Sequence, residues 1–265
     1  MNKPELLIEV YTDVMCPWCW CGETQLQKTL QSQEFEKEIG AYMKPVVQLK
    51  PYILDTRLPA TSFDPPSEQY DPIESTDYTK GKPPTKREYY SKKFTSLDAF
   101  DAKISARAKE LDLPAFVWLS DGKVGATWLV HRLLWYALQQ EQSGGESQTD
   151  GKYQPGIQER LMQRLYKAFH VESQDMSDVN VLANLACEMK LFEGDEEKAK
   201  QWLKSDQGEY EVGLALEIGV RNGIQSIPFT IIQDGSDHSS QVLNHVSVQA
   251  VFMMTSYTDS FFALA

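Results

Sequence analysis

The residues of this 265-residue chain that could do covalent chemistry are concentrated near its start. Of its four cysteines, Cys16, Cys19 and Cys21 fall within six residues, and Cys187 lies far away. Four cysteines with this spacing are too few and too clustered for a disulfide scaffold. The cluster therefore predicts thiol chemistry at one place in the fold.

Cys16 and Cys19 form a Cys-Pro-Trp-Cys motif at the predicted start of a helix. The apolar run 6–11 predicts a buried strand before it, and Pro17 suits the first turn of a helix. A helix N-terminus presents unpaired N–H groups and a partial positive charge, which stabilise a nucleophilic thiolate. Because positions three apart share a helix face, the two thiols could form a disulfide. We expect Cys16 to be the exposed attacking thiol and Cys19 the resolving thiol that releases a disulfide-linked partner.

A zinc site is the main structural alternative for this pair. Structural zinc needs four ligands, usually as two separated pairs. The chain has no second Cys-x-x-Cys motif, and its four histidines show no matching pair. The sequence thus favours redox chemistry over zinc binding or an idle pair, and we assign no metal ligand.

Two residues near the pair, Cys21 and Asp13, can each be interpreted in two ways. Cys21 points to another side of the helix than Cys19, so we favour a small buried apolar residue over a modulating or third redox thiol. Asp13 could tune the pair or relay a proton, or it could cap the helix. Cys187 falls on an apolar helix face and is predicted to lie in the core.

Several elements must position this motif. A strand at 45–51 follows the first helix, which is predicted from Pro17 to about Glu38, and the proline-rich stretch 59–86 predicts an irregular excursion. Apolar periodicity then predicts five helices, followed by a helix, two strands and a final helix. These lie at 97–111, 128–138, 157–168, 178–189, 195–203, 210–220, 227–232, 241–243 and 247–254. The predicted order is β-α-β, a helical insertion, then α-β-β-α.

The composition excludes several broad classes of protein. Hydrophobic residues at 42% and charged residues at 24% are ordinary for a globular chain. Lys+Arg minus Asp+Glu is 26 − 38 = −12, a charge that repels nucleic acid and anionic membrane surfaces. No apolar run approaches the ~20 residues that span a bilayer. The N-terminal residues lack the pattern of a signal peptide, so we expect a cytoplasmic protein.

The motif and four later segments together resemble a known family. The strand followed by Asp13-x-x-Cys16-Pro17-Trp18-Cys19 resembles the DsbA-like branch of the thioredoxin superfamily, and its FrnE-like subgroup in particular. The resemblance covers roughly residues 5–232. It departs from the subgroup at Cys21, where an aliphatic residue is usual, and after the second late strand. The later matching segments are 86–94, 131–134, 165–182 and 219–229.

The resemblance implies a thioredoxin-like α/β fold with a large all-helical insertion domain. The two halves of the thioredoxin-like domain would be residues 1–58 and 208–265, and the loop and helical insertion would be residues 59–207. The resemblance also implies a cis bond between Ile227 and Pro228 beside Cys16, where the Ile227 backbone pairs with an extended substrate. Pro17, Trp18, Ile227 and Pro228 are then the expected substrate-binding residues.

Three functions compete on this basis. The first is a thiol–disulfide oxidoreductase that requires no cofactor, acts on a protein or small-molecule disulfide, and has glutathione as a candidate co-substrate. The second is a glutathione-dependent transferase or isomerase resembling the kappa class, in which Ser typically replaces Cys16 and the second cysteine is lacking. The third is a metal-binding or docking module that retains the fold. The intact cysteine pair favours the first function.

Overall fold

A small sheet carries the cysteine motif at the end of its central strand. In the computed structural model, which describes residues 3–61, 82–144 and 152–233, the sheet contains three strands in the order β2-β1-β3. β1 (Glu5–Thr12) pairs in parallel with β2 (Lys44–Pro51) and antiparallel with β3 (Phe229–Gln233). Alternate residues of β1 are buried, including Leu6, Ile8 and Val10, because successive side chains of a strand point to opposite faces.

Nine α-helices are present in the described ranges. They are α1 (Pro17–Leu30), α2 (Gln33–Phe35), α3 (Lys86–Lys93), α4 (Leu97–Glu110), α5 (Trp128–Ser143), α6 (Ile157–His170), α7 (Val179–Glu188), α8 (Glu196–Leu203) and α9 (Glu209–Arg221). Six of them, α3 to α8, fall within residues 59–207, where the helical insertion is predicted. No helix in these ranges is both long and apolar enough to cross a membrane.

The prediction of one helix from Pro17 to about Glu38 is wrong. α1 ends at Leu30, and the hydroxyl of Ser32 accepts a bond from the backbone N–H of Phe35 (3.1 Å), which starts the short α2. A π-helical turn, Glu36–Gly40, then leads the chain into β2. Apolar spacing alone did not reveal this break because Ser32 can cap a new helix as well as sit within one. The other predicted elements up to residue 233 are confirmed within a few residues of their bounds, and those at 234–254 lie outside the described residues.

One side chain of the helical region bonds directly to the edge of the described sheet. The amide oxygen of Gln158 on α6 accepts from the backbone N–H of Leu49 (2.8 Å), and its amide nitrogen donates to the carbonyl of Leu49 (3.2 Å). The same nitrogen donates to the carbonyl of Leu134 on α5 (3.2 Å). Because a buried backbone group must find a partner, this amide fixes the position of α6 against β2.

A buried arginine joins α5 to the segment that leads into α9. The guanidinium of Arg132, which is fully buried, donates to the backbone carbonyls of Leu203 (3.2 Å), Ser205 (2.6 Å) and Gln207 (2.9 and 2.7 Å). These carbonyls lie at the end of α8 and in the following loop. Arg132 therefore satisfies a helix C-terminus and sets where α9 begins.

Candidate functional site

Cys16 is the N-cap of α1. Its backbone is extended (φ −87°, ψ 107°), and its sulfur accepts a bond from the backbone N–H of Cys19 (3.3 Å). Its own N–H donates to the carbonyl of Asp13 (3.0 Å), and Pro17 begins the helix. The sulfur thus occupies the position in which Ser, Thr or Asp oxygen usually meets the free N–H groups of a helix.

The expectation that Cys16 is exposed is wrong. Cys16 is 5% exposed and Cys19 is fully buried. The carbonyl oxygen of Ile227 lies 4.0 Å from the Cys16 sulfur, and the Ile227–Pro228 bond is cis, as expected. A Cβ at Gly22 would lie 3.5 Å from Cγ of Pro228, an ordinary van der Waals contact, so the proline ring packs close to α1 here and leaves room for no more than a methyl group. The Cys16 sulfur thus lies between the first turn of α1 and the segment that contains Ile227 and Pro228.

Burial keeps the other two thiols of the cluster, those of Cys19 and Cys21, protonated. Burial raises the pKa of Cys19 well above its usual range, and the hydrogen bond and charge of Cys16 add to the shift. Burial also raises the pKa of Cys21 to about 12. Cys21 is 3% exposed, as expected of a small packing residue, whereas Cys187 is only partly buried rather than in the core. Cys19 and Cys21 are therefore held as neutral thiols at neutral pH.

Asp13 organises the loop that precedes the motif. Its fully buried carboxylate accepts from the backbone N–H of Met15 (3.0 Å) and of Leu54 (2.7 Å), and from the hydroxyl of Thr127 (3.1 Å). These partners belong to the loop itself, to the segment after β2 and to the start of α5. The interpretation of Asp13 as the helix cap is wrong because Cys16 holds that position.

Aromatic and polar side chains from the helical region surround the motif. The hydroxyl of Tyr90 on α3 is buried without a hydrogen-bond partner among the described residues. Burial raises its pKa, and the charges of Cys16 and Asp13 add to the shift. His131 on α5 contacts the carbonyl oxygen of Tyr52 through Nε2 (2.9 Å). Trp18 is partly buried against the core. The sequence analysis did not connect Tyr52 or Tyr90 with the site, since nothing local in the chain marks them.

A buried carboxylate lies one helical turn beyond Cys19. Oε1 of Glu23 accepts bonds from the hydroxyls of Thr12 (2.6 Å) and Tyr166. Those two hydroxyls are 2.6 Å apart. Burial raises the pKa of Glu23 to about 8. The sequence analysis missed this residue, and its only signal was an acidic side chain on the buried face of α1.

No group of three or more potential metal ligands occurs in the ranges 3–61, 82–144 and 152–233.

Comparisons with known proteins agree on the fold. The structure is similar to that of a probable DsbA oxidoreductase from Streptomyces coelicolor (TM-score 0.59, 17% identity, covering 98% of this chain and 92% of that one). It is also similar to the cytosolic disulfide reductase DsbM from Pseudomonas aeruginosa (TM-score 0.56, 15% identity, covering 98% of this chain and 100% of that one). DsbM has also been solved with GSH. A third similar structure is that of 2-hydroxychromene-2-carboxylate isomerase (TM-score 0.51, 11% identity, covering 96% of this chain and 95% of that one).

At these identities the structural likeness shows a shared fold. The comparison with curated protein sequences found no match. The comparison with protein families matches residues 7–251, most of the chain, to the DSBA-like thioredoxin domain. The protein therefore belongs to the family of DSBA-like thioredoxin domains.

Proposed function

We propose that this protein is a thiol–disulfide oxidoreductase in which Cys16 attacks and Cys19 resolves. The observation that carries the proposal is the asymmetry of the pair. The Cys16 sulfur accepts a bond from the first turn of α1, whereas Cys19 lies fully buried behind it as a neutral thiol. An attacking thiol needs stabilisation as a thiolate, and a resolving thiol needs protection from outside reagents.

The reaction transfers two electrons between the cysteine pair and a substrate disulfide. The Cys16 thiolate attacks one substrate sulfur, and the other leaves as a thiolate that takes a proton from solvent. Cys19 then loses its proton and attacks the Cys16 sulfur, which releases the second substrate sulfur as a thiolate. The substrate is reduced, and Cys16 and Cys19 are joined in a disulfide.

Substrate binding is proposed at the Ile227–Pro228 segment and the first turn of α1. The carbonyl of Ile227 lies beside the Cys16 sulfur, so a substrate strand paired with this backbone would present its own sulfur to Cys16. Pro17 and Trp18 lie between the two cysteines on the same helix end and would contact the substrate next to its sulfur.

We further propose that glutathione is the co-substrate that reduces the oxidised pair, and that the protein is cytoplasmic and of the FrnE-like subgroup. Two glutathione thiols would restore both cysteine thiols and form one glutathione disulfide. The cytosolic reductase DsbM, whose fold is similar and which has been solved with GSH, supports this direction and compartment. No further cofactor is required by this chemistry.

The test is a pair of serine variants combined with trapping. Cys16→Ser should abolish reduction of a disulfide substrate. Cys19→Ser should instead accumulate a mixed disulfide at Cys16, which mass spectrometry of cell extracts would identify as a glutathione or protein adduct. Cys187→Ser provides the matched control and should retain full activity. Undiminished activity in Cys16→Ser would contradict the proposal.

The isomerase-like alternative has a separate signature. The fold is similar to that of 2-hydroxychromene-2-carboxylate isomerase, so glutathione-dependent work on a small molecule is the second candidate. Such chemistry needs no resolving thiol. Glutathione-dependent turnover that survives Cys19→Ser would favour this alternative over dithiol exchange.

A further inference from the structure

Four side chains from two separate segments form one hydrogen-bonded network. The guanidinium of Arg57 donates to both carboxylate oxygens of Asp55 (2.8 and 2.7 Å). The hydroxyl of Tyr89 on α3 donates to the same carboxylate (3.1 Å) and accepts from the ammonium of Lys93 at the end of α3 (2.6 Å). None of these four residues takes part in the proposed thiol chemistry.

The network is tied to the loop that leads to Cys16. The residue before Asp55 is Leu54, whose backbone N–H donates to the carboxylate of Asp13 (2.7 Å). The carbonyl of Asp13 in turn accepts from the backbone N–H of Cys16 (3.0 Å). Partial burial lowers the pKa of Lys93, and the negative charges of Asp13 and Cys16 oppose this shift. The ammonium of Lys93 therefore lies within electrostatic reach of the reactive sulfur.

Lys93 carries a positive charge that no carboxylate neutralises directly in the part of the chain that the structure describes. The carboxylate of Asp55 is occupied by Arg57 and Tyr89, so Lys93 reaches it only through the Tyr89 hydroxyl. An ammonium has three N–H donors, and the Tyr89 hydroxyl accepts from one of them. Lys93 is exposed as a residue, so a ligand can approach the other two.

The ammonium of Lys93 is held in one place although lysine side chains are usually mobile. Its nitrogen lies 4.9 Å from the centre of the Tyr89 ring, a cation–π contact that adds to the hydrogen bond. The positive charge of Arg57 adds to the effect of burial in lowering the pKa of Lys93, because two neighbouring cations repel. A bound anion would relieve this repulsion, and it would pay little entropy because the donor is already ordered.

We propose that Lys93 binds a carboxylate of the substrate, and that the protein therefore prefers small disulfides that carry a carboxylate near their sulfur. The inference rests on the proposed oxidoreductase function and adds the chemical class of the substrate. The carboxylate would accept from the remaining N–H groups of Lys93 while a substrate sulfur meets Cys16. Glutathione disulfide belongs to this class. A local cation matters here because the net charge of −12 repels anions from the chain as a whole.

The test compares three small disulfides that differ in charge. Dithiodipropionate carries carboxylates, hydroxyethyl disulfide is neutral, and cystamine carries amines. Each is mixed with the reduced protein in a Cys187→Ser background and stopped with acid, and the remaining thiols are counted by alkylation in urea and mass spectrometry. Lys93→Gln should slow the reaction with dithiodipropionate about tenfold and leave that with hydroxyethyl disulfide within about twofold of its rate without the substitution.

Reversal of the charge gives a result that a loss of folding cannot produce. Lys93→Glu should slow the reaction with dithiodipropionate further and speed that with cystamine about tenfold, because a carboxylate at this position attracts an amine. Lys92→Gln and Lys92→Glu are the matched controls. They make the same changes of charge one residue away, on the side of α3 that carries Glu88, and should change no rate by more than about twofold.

The outcomes separate the subsite from the chemistry. Equal slowing of all three disulfides by Lys93→Gln would mean that Lys93 acts on Cys16 itself, and this would overturn the proposal. Equal effects of the substitutions at Lys92 and Lys93 would overturn it too, because they would reflect net charge alone. If none of the disulfides reacts faster than with Cys16→Ser, the oxidoreductase function has failed and the subsite with it. A loss confined to the carboxylate substrate, with the preference inverted in Lys93→Glu, would support the proposal.

Discussion

Alkylation of Cys21 in the folded, reduced protein tests how burial distinguishes the thiols. Cys21 is 3% exposed, and burial raises the pKa of its thiol from 9.0 to about 12 although the positive charge of Arg107 opposes the shift. Only the thiolate reacts with an alkylating reagent, and each pKa unit changes its fraction tenfold. Three units therefore reduce the reactive fraction by about a thousandfold below pH 9, before any steric protection is counted.

The assay is timed treatment with iodoacetamide followed by digestion and mass spectrometry. We expect folded Cys21 to be modified at least about a thousandfold more slowly than the same residue in urea. Cys187, which is partly exposed, should be modified first of the two. Cys21→Ala should leave disulfide exchange unchanged and reduce the free energy of unfolding by about 1 kcal/mol, as for a small buried group.

Two results would refute this reasoning. Alkylation of folded Cys21 at nearly its rate in urea would mean that the thiol is neither buried nor held neutral. A Cys21→Ala variant with slowed disulfide exchange and an unchanged free energy of unfolding would show that Cys21 takes part in the redox chemistry.

Substitutions at three further positions, Arg132, Lys86 and Gly22, test the framework around the site. Arg132→Lys should reduce the free energy of unfolding, measured in urea, by about 3 kcal/mol. The ammonium group of lysine cannot replace a planar guanidinium that donates to several buried carbonyls. The exposed Arg221→Lys should change it by less than about 0.5 kcal/mol. Burial lowers the pKa of Lys86 to about 7 from 10.5, so the unfolded state binds more protons between these values. Stability should rise with pH across that window by up to about 1.4 kcal/mol per unit, and urea unfolding of Lys86→Met should lack this slope. Gly22→Ala should be tolerated, whereas the larger side chain of Gly22→Val should clash with Pro228. Gly22→Val should therefore reduce the free energy of unfolding by about 1–3 kcal/mol and slow disulfide exchange. Equal activity of the two variants would contradict the packing argument.

Patterns among neighbouring residues were enough to predict the helix that begins at the cysteine motif and the strand that precedes it. The apolar run of β1, the proline after Cys16 and the helical spacing beyond it are properties of neighbouring residues, so strand, cap and helix could be inferred without tertiary information. The same applies to the five helices α4 to α8, but not to α3, which follows directly on the stretch predicted to be irregular. The break after Leu30 was missed because the choice between continuing a helix and capping a new one at Ser32 depends on where the chain must go next.

The tertiary structure decided the environments of the reactive groups. Asp13 bonds to Leu54 and Thr127, which lie 41 and 114 residues away, and this contact makes it a loop anchor rather than a helix cap. Thr12 and Tyr166 are 154 residues apart, yet both meet Glu23 behind Cys19. Burial and the partners of a buried charge arise from packing between distant segments, which no spacing rule along the chain encodes. The sequence alone thus determined that three thiols are clustered at the start of a helix and predicted which of them react, while the fold determined that Cys16 is enclosed, that Cys19 is neutral and that a carboxyl lies one turn beyond it.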